Sequence, residues 1–180
     1  MGQLIKSIVL VGMTGVGKTT IGKILAREMK INFIDIDQEI EKITTLKIKD
    51  FFKMYGEQEF RRIEKSTLFK FIKINEKNII TPGAGIFNDN EIREKLNNDC
   101  ICVYLNINLN SLTLRLKKNL SNRPKLSKGK LEDNLKEMYI RRIKDYKKSH
   151  ITIDVNEISI PEVVSRINKA LINYEKFNKL

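Results

Sequence analysis

Cysteine and histidine are scarce in this 180-residue chain, with two of the first and one of the second. Cys100 and Cys102 stand two apart in an apolar stretch, so in a strand they share a face. His150 is far from them in sequence, and these three side chains do not reach the four ligands of a structural zinc site. The thiols are read as buried core groups, and His150 as a structural residue between a helix and a strand. Long hydrophobic runs are missing too: none approaches the ~20 residues of a membrane span. The N-terminus has no signal-peptide layout, and Lys6 breaks the myristoylation pattern. A cytoplasmic protein with no membrane partner is expected. No internal repeat and no linker interrupts the chain, so residues 1–180 are expected to form one domain.

Acidic residues are in deficit, 22 against 34 basic ones, for a net charge of +12. The lysines are spread along the chain and form no single block. The excess is read as a solvated surface that steers anionic substrates, with no nucleic-acid partner. A monomer is expected.

What the chain does have is Gly12-Met13-Thr14-Gly15-Val16-Gly17-Lys18-Thr19, which fits the phosphate-binding pattern G-x-x-x-x-G-K-[ST]. The apolar run Ile8 to Val11 leads in, and a helical pattern with Ile21, Ile24, Leu25 and Met29 leads out. Such a loop lets successive backbone N–H groups point at phosphate oxygens, over the positive end of a helix dipole. Lys18 supplies charge for the outer phosphates, and the Thr19 hydroxyl is placed to hold Mg²⁺. The nucleotide-binding set is Gly12, Thr14, Gly15, Val16, Gly17, Lys18, Thr19 and Thr20.

Strand and helix signals alternate along the rest. A strand is expected over residues 31–37, ending in Asp35 and Asp37, which would emerge beside the loop on one side if the chain stays extended. Short helices are expected over 40–44 and 48–55, with Gly56 as a stop. Residues 57–74 read as an amphipathic helix that sets Arg61 and Glu64 three apart. A strand at 78–81 runs into Pro82-Gly83-Ala84-Gly85. Helices at 89–96 and 110–118 flank a strand at 100–105. The polar, basic stretch 119–130 reads as a mobile lid. A helix over 131–149, a strand over 150–154 and a helix capped by Ser159 and Glu162 close the chain. The pattern predicts an α/β fold with about five parallel strands.

Two P-loop classes lack their marks here. No Asn-Lys-x-Asp base-reading motif is present, as a regulatory GTPase requires, and the strand at Ile79-Ile80 ends in Thr-Pro-Gly where a motor or transport ATPase carries Asp. Size, lid and acidic second strand favour a small-metabolite kinase. Beyond that point the chain resembles the shikimate kinase family over nearly its full length. The resemblance rests on the P-loop, on Asp35-Ile36-Asp37, on Gly56-Glu57-Gln58-Glu59-Phe60-Arg61-Arg62-Ile63-Glu64, on Gly83-Ala84-Gly85, on Arg123-Pro124 and on Arg142 followed by Asp145-Tyr146.

The resemblance implies the P-loop fold with strand order 2-3-1-4-5, and ATP-dependent phosphorylation of the shikimate 3-hydroxyl in aromatic amino-acid biosynthesis. ATP and Mg²⁺ would be the cofactors, with the metal at Thr19 and Asp35. Asp37 would bind substrate hydroxyls and is the candidate to orient or deprotonate the attacking one. Arg61 and Arg142 would clamp the carboxylate, with Glu64 orienting Arg61. Backbone groups of Gly83, Ala84 and Gly85 would meet the ring hydroxyls, the substrate-binding region otherwise spanning about 35–64. Arg123, carried by the lid, would stabilise the transferring phosphoryl group together with Lys18. Arg115 is a candidate for the adenine side, with the stretch Asp154-Val155-Asn156, Asn156 in particular, as the loop on the other side of the base. The family usually has a third glycine where Ala84 stands, and a methyl is tolerated there if φ stays negative. A related kinase for another polyol acid, such as gluconate, and a non-catalytic nucleotide-binding module remain alternatives. The arginine pair and Asp37 favour shikimate over the first. Retention of Lys18, Asp35, Asp37 and Arg123 weighs against the second.

Overall fold

The run Ser7–Val11 forms the central strand β1, and every one of its residues is buried. A strand without polar alternation must be covered on both faces, which is the situation inside a parallel sheet. The computed structural model describes residues 6–73, 76–120 and 128–177, and their side chains outside 118–131. In it β1 pairs in parallel with β3 (Asn78–Thr81) on one side and β4 (Cys100–Asn106) on the other. β2 (Asn32–Asp35) and β5 (Ile151–Asp154) complete a five-stranded sheet of order β2-β3-β1-β4-β5. All four pairings are parallel. The expected strand order is therefore observed.

Seven helices accompany the sheet among the described residues: α1 (Lys18–Met29), α2 (Ile36–Thr44), α3 (Ile48–Lys73), α4 (Asn90–Asp99), α5 (Leu109–Leu120), α6 (Lys128–Tyr146) and α7 (Ile160–Phe177). A short 3₁₀ turn, Ile86–Asn88, precedes α4. Gly56 interrupts α3 with φ +79° and ψ 178°, and the helix resumes at once. The two helices expected there thus meet at a kink, with glycine supplying a backbone conformation that other residues resist. None of the described helices is long and apolar enough to cross a membrane.

One boundary differs in a way that matters for the site. The strand expected to reach Asp37 stops at Asp35, and α2 begins at Ile36. Asp35 is its N-cap, accepting from the Gln38 N–H at 3.3 Å. Asp35 and Gln38 stand at the two ends of a capping-box spacing, and Asp37 and Glu39 suit the first turn of a helix dipole. Helical signals in residues 35–39 therefore outweigh the short apolar run before them.

Cys100 and Cys102 are free and buried in β4. Burial pushes the Cys100 thiol up to about 12, and that of Cys102 upward as well, so both are unreactive. His150 accepts the Cys102 N–H on Nδ1 at 3.0 Å and meets Tyr174 edge-on.

Candidate active site

The P-loop is built by a strand that ends at Val11 and a helix that starts at Lys18, with six residues between them. Gly12, Gly15 and Gly17 take φ of +147°, +77° and +108°. A Cβ on Gly12 would come within 2.9 Å of the Leu105 carbonyl, and one on Gly15 within 2.6 Å of Leu116, so space as well as backbone angle demands glycine. Lys18 turns back into the loop and donates to the Gly12 and Met13 carbonyls at 2.9 and 3.2 Å. Burial pushes its ammonium down to about 8, against the upward pull of Asp37 and Asp35. Thr14, Gly15, Gly17, Lys18, Thr19 and Thr20 line one cavity, together with Asp35, Asp37 and the Thr81–Ala84 turn. Val16 is buried beneath it.

Thr19 Oγ1 donates to Asp35 Oδ2 at 2.9 Å, and Thr81 donates to the same oxygen at 3.3 Å. A hydroxyl beside a carboxylate is a hard oxygen donor pair. It fits Mg²⁺, which takes one or two carboxylates from the protein and the rest of its shell from water and phosphate. No cluster of three or more metal-ligating side chains occurs among the described residues. A small all-oxygen site that borrows phosphate oxygens is consistent with that.

Asp37, on the first turn of α2, faces the glycine turn: its Oδ1 lies 3.4 Å from where a Cβ on Gly83 would be. Burial raises its carboxyl above the usual carboxylate range, Asp35 adds to this, and Lys18 and Arg61 oppose it. The helix spacing of Arg61 and Glu64 becomes a contact of 2.6 Å between Nη1 and Oε2. Arg61 also reaches Glu57 at 3.2 Å. Glu64 is fully buried, and burial raises its carboxyl while Arg61 lowers it.

The glycine turn is shaped by these two side chains. A Cβ on Gly83 would stand 2.3 Å from Glu64 Oε1, and one on Gly85 would stand 3.1 Å from Arg61 Nη2. Neither glycine has positive φ, so it is close approach that favours glycine here: strongly at Gly83, against a buried carboxylate, and mildly at Gly85, where the Arg61 guanidinium would have to give way by a few tenths of an ångström. Ala84 also keeps a φ outside the left-handed region, so its methyl meets no backbone strain. Arg142, on α6, is close enough to lower the Lys18 and Glu64 proton affinities. Arg61, Gly85, Asn88, Arg141 and Arg142 line one cleft. Two helices far apart in sequence therefore bring Arg61 and Arg142 to the same opening.

On the other side of the P-loop, Arg115 donates to the Val16 carbonyl at 3.2 Å and the Val155 carbonyl at 2.7 Å. It lines a cleft whose apolar wall is Val155, Ile158 and Ile160. The amide of Asn156 is engaged elsewhere: it accepts from Asn108 N–H at 2.9 Å and donates to Asp154 at 2.6 Å. Of this apolar wall, Val155 lies in the stretch the sequence sets beside the base, while Ile158 and Ile160 were not singled out, although the apolar residues following β5 are their signal. Tyr146 is marked by its place after Arg142 but carried no role, and nothing short of the tertiary contact marks Thr81. The expected lid over 119–130 and Arg123 within it fall largely or wholly outside the described residues.

Known proteins resemble this chain in sequence and in fold. The family model for shikimate kinase matches residues 14–172. A shikimate kinase of Oceanobacillus iheyensis is 37% identical over 166 residues, covering 92% of this chain and 90% of that protein. Another, from Thermodesulfovibrio yellowstonii, is 34% identical over 96% of this chain and 97% of its own length. The crystal structure of shikimate kinase from Bacteroides thetaiotaomicron superposes with a TM-score of 0.85 at 28% identity, covering 92% of this chain and 98% of that one. Shikimate kinase from Acinetobacter baumannii, solved in complex with shikimate, gives 0.83 at 30% identity, covering 93% of each chain. A gluconokinase from Sinorhizobium meliloti shares the fold at 17% identity and a TM-score of 0.62, covering 98% of this chain and 95% of that one. By sequence and by structure, this chain belongs to the shikimate kinase family.

Proposed function

We propose that this chain transfers the terminal phosphoryl group of ATP to the 3-hydroxyl of shikimate, giving ADP and shikimate 3-phosphate. The observation that carries the reading is the shared cleft of Arg61 and Arg142, beside an Asp37 that also lines the P-loop cavity. Two guanidinium groups match one carboxylate, and Asp37 is near enough to both Lys18 and Arg61 for their charges to act on it. The A. baumannii relative, solved with shikimate, supports the choice of acid.

Backbone N–H groups of the P-loop cradle the phosphates, and Lys18 leaves its carbonyl partners for the outer phosphate oxygens. Thr19 and Asp35 would hold Mg²⁺, which when bound supplies neutralisation of the phosphate charge. Arg61 and Arg142 hold the carboxylate, and the Gly83–Gly85 turn aligns the ring hydroxyls. The 3-hydroxyl oxygen bonds to the terminal phosphorus as the bond to the bridging oxygen breaks, and its proton passes to Asp37. Burial of Asp37 raises its basicity for that step. Arg123 would meet the transferring group, and Arg115 and Asn156 would flank the base. The 180 residues act as one domain with its lid at 119–130, as a cytoplasmic monomer working on a small molecule, with neither nucleic acid nor membrane as partner.

A coupled ADP-release assay across a panel of acceptor alcohols tests this. Turnover with shikimate and none with gluconate is expected. The reverse pattern overturns the reading, and ATP binding without turnover of any acceptor would leave a nucleotide-binding module.

A further inference from the structure

Arg142 is followed by Asp145 and Tyr146, and the chemistry above uses neither. Tyr146 is 1% exposed. Its ring stacks on Tyr104 at 5.2 Å and on Phe87 at 6.4 Å. Packing alone would be served by phenylalanine, yet the hydroxyl is committed. Oη lies 2.5 Å from the Ala84 carbonyl, in the middle of the substrate turn. A carbonyl can only accept, so Tyr146 gives its proton to Ala84. Arg142 stands four residues back on the same face of α6, close enough to lower the phenol's proton affinity. The bond to Ala84 therefore fixes the helix turn that carries Arg142 against the substrate turn. Burial and the arginine together leave the phenol at about 12, so the donor persists at any working pH.

A second contact ties the same two segments. Asp145 pairs with Arg93 at 3.1 Å, and the Arg93 side chain is 7% exposed. Arg93 also donates to the Phe87 carbonyl at 3.1 Å, and Asn88 reaches Asp145 at 3.5 Å. The end of α6 is thus bonded to the 84–88 segment at two points.

We propose that Tyr146 is a positioning residue for the acceptor substrate. Its hydroxyl ties the turn that meets the substrate hydroxyls to the stretch of α6 that carries Arg142, the arginine that grips the carboxylate, and Asp145, through Arg93, is the second tie. The proposal rests on the functional reading above. The tie sets the distance between the two ends of the acceptor site, so its loss weakens capture of the acid and leaves the nucleotide side untouched. Interactions of that kind appear in KM more than in kcat.

Tyr146→Phe keeps the ring stack and removes one oxygen. The expected result is a rise of about tenfold in KM for shikimate, with KM for ATP unchanged, kcat reduced less than about threefold and Tm within a few degrees of the parent. Asp145→Asn, which weakens the second tie without changing volume, is expected to raise the same KM by a smaller factor. A folded Tyr146→Phe variant with unaltered shikimate KM overturns the proposal. So does a pair of variants that unfold, or that shift both KM values together, since that marks a purely structural role. If the parent enzyme turns over a different acid, the functional reading fails, and the KM split for that acid still decides the tie.

Discussion

Glu64 places Oε2 2.6 Å from Arg61 Nη1, while its other oxygen, Oε1, is buried without a hydrogen-bond partner among the described residues. One oxygen holds the arginine and the other abuts Gly83, so a single carboxylate touches both halves of the acceptor site. Glu64→Gln should loosen Arg61 and raise the shikimate KM about tenfold, with ATP kinetics unaltered. Steady-state kinetics with each substrate varied in turn checks this, and an unchanged shikimate KM would remove Glu64 from an orienting role.

The glycine turn offers a paired comparison. Gly83→Ala drives a methyl into Glu64, and overpacking of a buried polar contact should cost about 1–3 kcal/mol along with most of the activity. Ala84→Gly, which restores the usual third glycine, should leave kinetics near the parent and lower stability by about 0.5–1 kcal/mol through chain entropy. Thermal melts read beside shikimate KM distinguish the two. Equal effects at both positions would contradict the crowding argument.

Asp37 must be ionised to take the proton, and its carboxyl is raised by burial and by Asp35. Activity should therefore fall on acidification at a pH above the ordinary carboxylate range. Asp37→Asn should lower kcat by about 100-fold or more while ATP affinity, measured by calorimetry, is retained. Full turnover in that variant would exclude Asp37 as the base.

Lys18, lowered to about 8 in the ligand-free chain, is half neutral at that pH. A bound polyphosphate favours the charged form, so nucleotide binding should draw protons from solvent. Linkage predicts an uptake of about half a proton at pH 8 and about a tenth at pH 7. Calorimetric titrations in buffers of different ionisation enthalpy give that number directly. No dependence on buffer at pH 8 would mean that Lys18 is already charged.

His150 accepts a hydrogen bond on Nδ1, which requires the unprotonated ring, and burial lowers its pKa from 6.5. The folded value lies below the unfolded one. Its stabilisation is thus present above about 6.5 and lost as pH falls through the folded value. The Tm should drop by a few degrees between pH 7 and pH 5, and His150→Gln should flatten that slope. Because this is the sole histidine, its ring proton resonances report the folded pKa without assignment.

Legibility in the sequence followed how locally each feature is specified. Alternating strand and helix, the P-loop, the Arg61–Glu64 spacing and the strand order implied by family resemblance all agree with the structure. Boundary errors arose where two local signals compete, as at Asp35, where the cap overrides the strand. In the apolar wall, Val155 was within reach of sequence reasoning, while Ile158 and Ile160 carried a signal too weak to single out.

By itself the sequence determined the phosphate loop, because its glycines and lysine act through backbone geometry within eight residues. It also determined the periodicity that makes five strands and their helices. The tertiary structure alone decided that Arg61 and Arg142 share an opening, that Glu64 crowds Gly83 while Arg61 lies against Gly85, and that Tyr146 ties Ala84 to the helix carrying Arg142. These contacts link α3, the turn after β3 and α6, and their distances depend on how the helices pack against the sheet. No local propensity encodes such a distance.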